Sequence, residues 1–252
     1  MLSVLSGCLG VACKAKTPAI TETFVDDFER VELGATWRDT SGGQFQIKDG
    51  RLSVSQGMNR PVWLQKRLPQ DVEIELDVLS MSPDGDIKIE LFGDGKSFDP
   101  DGNRYDPTGY VFAFGGWNNR MSIIGRLGEH DDGVKAMRRH RAHPPAGPAD
   151  DGALLAGPGA PQAADAEIGV EAEADGAGAG AAPDLDGPVL PGRRYHWVIT
   201  KRGGQIDWKV DGQPFLSWLD PAPLGGESHA YLGFTNWQAQ VFYDNLKIRP
   251  LP

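Results

Sequence analysis

The chain has 252 residues, of which 40% are hydrophobic, enough for one sizeable core or at most two small ones. Its formal net charge is −10, but residues 142–192 contain nine acids and no Lys or Arg. The remainder of the chain is therefore nearly neutral. A nearly neutral fold offers no basic surface for nucleic acid, so we expect no nucleic-acid partner.

The first residues are typical of an export segment. Both cysteines, Cys8 and Cys13, lie here, so the fold that follows does not depend on a disulfide. The apolar opening is shorter than the roughly 20 residues that span a bilayer, and it lacks a basic start. Residues 5–8, Leu-Ser-Gly-Cys, look like a bacterial lipobox. We predict an export segment and tether over residues 1–22 with lipidation at Cys8; the alternatives are an irregular N-terminus or a Cys8–Cys13 pair.

In this interpretation the folded domain spans residues 23–252, and its first strand begins at residue 24. Phe24 opens a short apolar-acidic run, and β-type patterns then recur almost to the C-terminus. Short segments rich in Val, Ile, Phe, Tyr and Trp alternate with Asp-Gly and Gly-Gly turns. Roughly a dozen short strands in one domain predict an all-β antiparallel sandwich or barrel of two sheets.

Residues 142–192 interrupt this pattern. They are mostly Ala, Gly, Pro and acids, with almost no aromatic or β-branched residues. Ordering a residue costs about 1–2 kcal/mol of backbone entropy, which such a composition cannot offset. We predict a disordered acidic insertion between two strands. It is either inert or an acidic interaction segment.

Two predicted strands, residues 71–80 and 86–91, alternate apolar and polar side chains. Each strand therefore has one apolar and one polar face. The short connection between them favours a hairpin, which would merge the polar faces into one carboxylate-rich surface. Its members would be Glu75, Asp77, Asp86, Lys88 and Glu90.

Glu75 and Glu90 are the acid and base candidates on that surface. Cross-strand neighbours lie about 5 Å apart, and glycoside hydrolysis uses two carboxyl groups about 5–9.5 Å apart. The alternative is ordinary charge balance on a solvent-facing sheet, which Lys88 between Asp86 and Glu90 favours.

The segment YHWVITKRGGQIDWKVDGQPF, residues 195–215, resembles a recurring hairpin of concanavalin A-like lectin/glucanase domains. Residues 231–248, YLGFTNWQAQVFYDNLKI, resemble the closing strands of that superfamily, and residues 24–30 resemble its first strand. The resemblance implies a jelly-roll sandwich, nearest to bacterial glycan-associated modules of the 3-keto-disaccharide hydrolase and laminin G-like type. Residues 73–79 depart from the Glu-x-Asp-x-x-Glu pattern of laminarinase-type hydrolases, so the resemblance is more specific for fold than for activity.

Two similar motifs each place Trp beside Asn after a Gly/Phe-rich strand. The first contains Trp117, Asn118 and Asn119, and the second contains Asn236 and Trp237. A Trp ring can cover the apolar face of a sugar while amides exchange hydrogen bonds with its hydroxyl groups. The alternative is a core Trp with Asn in the turn. Because the Trp-Asn motif occurs twice, the sugar-binding interpretation and this alternative are equally supported.

Other polar residues are weaker candidates. Arg126, Glu129 and His130 follow a predicted strand and could bind hydroxyl groups, or could form loop ion pairs. If the first and last strands pair, Asp27 and Asp244 could share one structural Ca²⁺; otherwise we expect no cofactor.

These observations predict a monomeric, extracytoplasmic protein of the periplasm or cell surface that binds an oligo- or polysaccharide. The predicted site is a polar concave sheet face that includes Asp86 and Lys88, with the two Trp motifs at its border. Membrane attachment would occur only through a lipid anchor. The alternatives are a glycan hydrolase of the same fold and a structural or adhesion module that binds protein.

Overall fold

The computed structural model describes residues 17–99, 104–130, 132–142 and 184–252. Within these residues the chain forms seventeen strands and one short turn of helix. The strands are β1 (Phe24–Asp26), β2 (Trp37–Asp39), β3 (Phe45–Lys48), β4 (Arg51–Val54), β5 (Val62–Leu64), β6 (Val72–Ser80), β7 (Ile87–Gly93), β8 (Phe98–Asp99), β9 (Arg104–Tyr105), β10 (Tyr110–Gly115), β11 (Met121–Arg126), β12 (Val134–Arg139), β13 (Arg194–Arg202), β14 (Gln205–Val210), β15 (Gln213–Leu219), β16 (Tyr231–Thr235) and β17 (Val241–Pro250). The turn, α1, spans Gly116–Asn119.

Two antiparallel sheets form a sandwich. Sheet I has the order β15-β14-β13-β6-β17-β4-β3, with β1 also paired to β17, and sheet II has the order β12-β11-β10-β7-β16-β5-β2. Strands β8 and β9 form a separate two-stranded ribbon. This architecture confirms the predicted all-β jelly-roll sandwich.

The core lies between the two sheets. Strand β6 of sheet I alternates buried and half-buried residues, and its buried positions include Ile74 and Leu76. Sheet II contributes Phe114, whose ring meets Trp197 of sheet I edge-on with centroids 5.7 Å apart. Such edge-to-face aromatic contacts add to the area that the rings bury and hold the two sheets in register.

Strand direction determines what lies at the edge of sheet II. Strands β10 and β16 flank β7 and both run antiparallel to it, so they are parallel to each other. Both therefore end at the edge where β7 begins. The segments after β10 and β16, which carry the two Trp motifs, are brought together there.

The predicted hairpin between residues 71–80 and 86–91 is wrong. The first of these strands, β6, lies in sheet I, and the second, β7, lies in sheet II. Strand β7 is buried along its whole length because loops cover its outer face, whereas the half-buried positions of β6 face outward from sheet I. The connection crosses from one sheet to the other, so the polar faces of the two strands point away from each other.

The fold extends beyond two predicted boundaries. Ile20 is buried and its N–H donates to the Arg67 carbonyl, so residues 17–22 are part of the sandwich and not of a tether. Leu185 and Val189 are buried in the core, so residues 184–192 are not part of an insertion. The sequence did not indicate that Leu185 and Val189 are buried, because they lie among Gly, Pro and Asp residues. Residues 1–16, including Cys8, and residues 143–183 lie outside the described residues.

In the described part of the chain, no helix has the length and apolar character needed to cross a membrane.

Replacing Val189 with Ala should lower the free energy of unfolding by about 2 kcal/mol, because a side chain that is 1% exposed would leave a cavity. The neighbouring Leu190, which is 41% exposed, is the matched control, and Leu190→Ala should change stability by less than about 0.5 kcal/mol. Urea unfolding measures both. Equal losses for the two variants would contradict the packing of residues 184–192.

Candidate functional site

Asp86 joins the ends of three strands at one edge of sheet II. It stands just before β7, and its N–H donates to the carbonyl of Gly115 at the end of β10, at 3.0 Å. Its carboxylate Oδ2 accepts the N–H of Trp237, just past β16, at 2.6 Å. The two Trp motifs are thus tied to the same residue from opposite sides.

A cavity of about 380 Å³ opens between the two motifs. This volume is within the range of about 300–1,000 Å³ that is usual for small-molecule sites. Trp117 and Trp237 both line it, as do Lys88 and Glu129. The remaining lining residues are Asn59, Asp84, Asp86, Ala113, Gly116, Asn118, His130, Gln238 and Ala239.

Lys88 forms the buried part of the cavity lining. Its Nζ lies 2.9 Å from the Asn59 Oδ1, 2.9 Å from the Glu129 Oε2 and 3.8 Å from the Asp86 Oδ1. Burial alone would lower the pKa of Lys88, but the Glu129 and Asp86 carboxylates outweigh it and raise this pKa above its ordinary value. The ammonium group therefore stays charged and holds residues from three segments in place.

The backbone around Trp117 is strained. Trp117, Asn118 and Asn119 have φ angles of 53°, 57° and 60°, so the short helical turn is left-handed here. Each L-residue in this conformation costs about 1–2 kcal/mol, and a bulky Trp is a rare occupant. Strain of this kind is found mostly where the surrounding structure needs a particular side-chain position. Here it holds the Trp117 ring against the cavity, with the His130 ring 6.2 Å away between centroids.

Asn119 supports this turn from below. Its Oδ1 accepts the Val189 N–H at 2.8 Å, and its Nδ2 donates to the carbonyls of Val189 and Pro83 at 2.7 and 3.0 Å. The amide is buried and does not line the cavity. The structure therefore assigns Asn119, which we predicted as a ligand contact, to the support of the turn.

Asn236 has the same role on the other side. It is fully buried, its Oδ1 accepts the Gly57 N–H at 3.1 Å and its Nδ2 donates to the Ala239 carbonyl. A Cβ on Gly57 would lie 2.3 Å from that Oδ1, so only glycine fits there. Asn236 thus joins two loops and, like Asn119, does not contact the cavity.

Asn59 is a cavity residue that the sequence interpretation missed. It follows Gly57 in a loop with left-handed φ angles, and its N–H donates to the Asn236 carbonyl at 2.7 Å. Its side chain reaches both Lys88 and Glu129. The only local signal was a Gly and Asn in a turn before β5, which does not separate a site residue from an ordinary turn.

Arg126 is not part of the cavity. It pairs with Tyr110 at the opposite end of β10 from Trp117, and its Nε lies 3.0 Å from the Asp220 Oδ2. Its neighbours in the predicted cluster, Glu129 and His130, do line the cavity. The loop after β11 turns back toward the Trp motifs, which the sequence spacing did not show.

Glu75 and Glu90 share no surface. Glu75 lies on the outer face of sheet I, where the Lys247 Nζ is 3.3 Å from its carboxylate. Glu90 lies on the outer face of sheet II, beneath a loop, and the core separates the two. They cannot act together on one glycosidic bond, which corrects the predicted acid/base pair.

Glu90 is fully buried and surrounded by donors. Its carboxyl group accepts the hydroxyls of Ser97 and Tyr105 at 2.7 and 2.9 Å and the N–H groups of Thr108 and Gly109 at 3.0 and 2.8 Å. Burial raises the pKa of Glu90 to about 7 despite these hydrogen bonds. It anchors the loop that covers the outer face of sheet II.

The two predicted calcium ligands, Asp27 and Asp244, each accept a different local main-chain N–H group. Strands β1 and β17 pair, which was the condition for a shared ion, but Asp27 accepts the Glu29 N–H and Asp244 accepts the Asn245 N–H. Burial raises the pKa of Asp244, and Asp77 on the neighbouring strand adds to this. Among the described residues, no group of three or more His, Cys, Asp or Glu side chains could hold a metal ion. A structural Ca²⁺ stays a prediction.

No protein-family model matches this chain, and no curated protein matches it either. Solved structures share the fold. A protein of unknown function with a galectin-like fold from Bacillus subtilis is 15% identical, with 93% of this chain and 97% of that chain covered and a TM-score of 0.53.

Two further structures are similar at the level of the fold. The VIP36 exoplasmic/lumenal domain in its Ca²⁺/Man3GlcNAc-bound form is 8% identical over 92% of this chain and 89% of that chain, with a TM-score of 0.55. The apo form of the Crh5 transglycosylase is 10% identical over 95% and 89%, with a TM-score of 0.52. At these identities the likeness concerns the fold alone, and it agrees with the jelly-roll sandwich that was predicted.

Asn119→Ala should lower the free energy of unfolding by about 2–3 kcal/mol, because it leaves buried main-chain groups of Val189 and Pro83 without partners. Asn118→Ala is the matched control, since it places Ala in the same left-handed conformation but removes an exposed side chain. Thermal and urea unfolding compare the two. A loss from Asn118→Ala as large as that from Asn119→Ala would contradict the supporting role of Asn119.

Glu90 should make the protein less stable as the pH rises. Its pKa is about 7 in the folded state against an ordinary 4.5, so the folded state binds more protons between these values. The stabilisation is fully present below about pH 4.5 and is lost as the pH approaches 7, at about 1.4 kcal/mol per unit at most.

Urea unfolding at several pH values in this window measures that slope. Glu90→Gln should remove it, and Glu75→Gln on the outer face of sheet I should leave it unchanged. A slope that persists in Glu90→Gln would assign it to other groups.

Proposed function

We propose that this protein binds a glycan in the cavity between Trp117 and Trp237. The observation that carries the proposal is that both rings, from separate motifs, border one cavity with a polar floor. A sugar has apolar C–H faces and a rim of hydroxyl groups, so it needs both kinds of surface at once.

The exposure of the tryptophans distinguishes this place from the core. Trp63, Trp197 and Trp208 are at most 1% exposed, whereas Trp237 is 46% exposed and Trp117 is half-buried. Burying a Trp stabilises a fold, so two accessible rings at one cavity indicate a ligand-facing role.

Amide groups stand beside both rings. Asn118 follows Trp117, Gln238 follows Trp237, and both are exposed and line the cavity. Each amide offers donors and an acceptor, which suits the hydroxyl groups at the edge of a sugar. Asn59 is engaged with Lys88 and Glu129 and keeps the floor rigid.

Binding is favoured over hydrolysis and over protein adhesion. The predicted acid and base lie on opposite outer faces, and two of the cavity carboxylates, Asp86 and Glu129, are both next to the same Lys88 ammonium group. A concave cavity suits a small ligand better than it suits the flat surface of a protein partner. The Man3GlcNAc-bound form of VIP36 is an example of a glycan held by this fold.

An extracytoplasmic location, a lipid anchor at Cys8 and a monomeric state belong to the same proposal. The support for the first two is the Leu-Ser-Gly-Cys sequence at residues 5–8. Mass spectrometry of the membrane fraction from a bacterial host would detect a lipidated Cys8, and Cys8→Ser should release the protein from that fraction. Retention of the variant would contradict the anchor.

Trp237→Ala and Trp117→Ala should each weaken glycan binding at least about tenfold, because each removes ring contact worth about 1.4 kcal/mol or more. Leu219→Ala, an exposed apolar residue that does not line the cavity, is the control and should bind as the wild type does. A glycan array identifies ligands, and calorimetry measures the affinities. Absence of any ligand for the wild type, or unchanged affinity in both Trp variants, would overturn the proposal.

A further inference from the structure

The charges that line the cavity are unequal. Three carboxylates, those of Asp84, Asp86 and Glu129, face one ammonium group, that of Lys88, and His130 is the remaining titratable side chain. With either form of the imidazole the three carboxylates outnumber the cationic groups, so the lining carries an excess of negative charge. This excess acts on a ligand within the first few ångströms, where salt screens it least.

Lys88 is not free to receive an anion. Its Nζ has Glu129 and Asn59 at 2.9 Å and Asp86 at 3.8 Å, so neighbouring oxygens occupy its surroundings on three sides. Its side chain is only 6% exposed. A carboxylate or sulfate on a sugar would have to displace one of these partners and would then lie beside the other two.

Asp84 is available to a cation. It is exposed at the cavity rim and, among the described residues, only its main-chain N–H is engaged, with the Ser82 Oγ at 3.4 Å. Asp86 adds negative charge beside it but is already engaged, because its Oδ2 accepts the Trp237 N–H and its Oδ1 forms an ion pair with Lys88 at 3.8 Å. The two Trp rings add faces on which a cation is also favourable.

We infer that the cavity selects an amino sugar with a free, protonated amine, such as a glucosamine unit in an oligosaccharide. This rests on the proposed glycan binding and assigns its ligand class. The ring of the sugar packs on Trp117 or Trp237, and the ammonium group pairs with Asp84 in the negative field that the other carboxylates of the lining add to. Acidic sugars are disfavoured because the carboxylates of the described lining outnumber its cationic groups.

Calorimetry with three probes of equal length tests this: glucosamine oligomers, their neutral N-acetylated forms and galacturonate oligomers. At about pH 6.5 and low salt, well above the ordinary pKa of a carboxyl group, the glucosamine oligomers should bind at least about tenfold more tightly than the neutral ones. Raising the salt concentration should reduce this preference, and galacturonate oligomers should bind most weakly.

The variant Asp84→Asn separates charge from shape. It should reduce the affinity for glucosamine oligomers about threefold to tenfold and leave that for neutral oligomers unchanged. Glu32→Gln, an exposed acid that does not line the cavity, removes the same charge elsewhere and should change neither affinity.

The outcomes distinguish this inference from the function on which it rests. Equal or tighter binding of the neutral or acidic oligomers, with loss in Trp237→Ala, overturns the amino-sugar inference and leaves glycan binding in place. Binding that Asp84→Asn and Glu32→Gln weaken equally overturns a local role of Asp84. Absence of binding by every probe and by a broad glycan array overturns both.

Discussion

The hydrogen bonds of Asp86 are the constraint on which the cavity depends. Its N–H binds the end of β10 and its carboxylate binds the N–H of Trp237 after β16, so one residue sets the distance between two otherwise separate loops. Because β10 and β16 are parallel neighbours of β7, their ends must lie at the edge where Asp86 precedes β7. The position of Trp117 beside Trp237 follows from strand direction and this one residue.

The buried charge of Lys88, beneath the rings of Trp117 and Trp237, is also stabilised by contacts with nearby residues. A buried ammonium group would be unfavourable alone, but Lys88 has Glu129, Asn59 and Asp86 around it. The strained turn at Trp117 is likewise held by the buried Asn119 amide. Lys88 and the turn at Trp117, which both line the cavity, thus rely on buried polar contacts behind them.

The pair Asn118 and Asn119 shows what a sequence motif can and cannot predict about side-chain contacts. Asn118 and Asn119 are adjacent and chemically identical, yet one is exposed at the cavity and the other is buried under the turn. Asn236 was also predicted as a ligand contact and is buried. A motif predicts that a Trp and an amide lie together, but the direction of each amide depends on contacts with distant residues such as Val189 and Gly57.

The sequence by itself determined the all-β class and a sandwich or barrel of two sheets, because alternation and turn residues are local properties of the chain. The jelly roll came from the resemblance of residues 195–215 and 231–248 to lectin-like domains. Only the tertiary structure decided which faces meet. Glu75 and Glu90 have the same local pattern, but the chain crosses between sheets after Ser80, so they lie on opposite sides of the core. Pairing of distant strands, which no local pattern encodes, placed Lys88 and Glu129 beneath the rings and excluded Arg126.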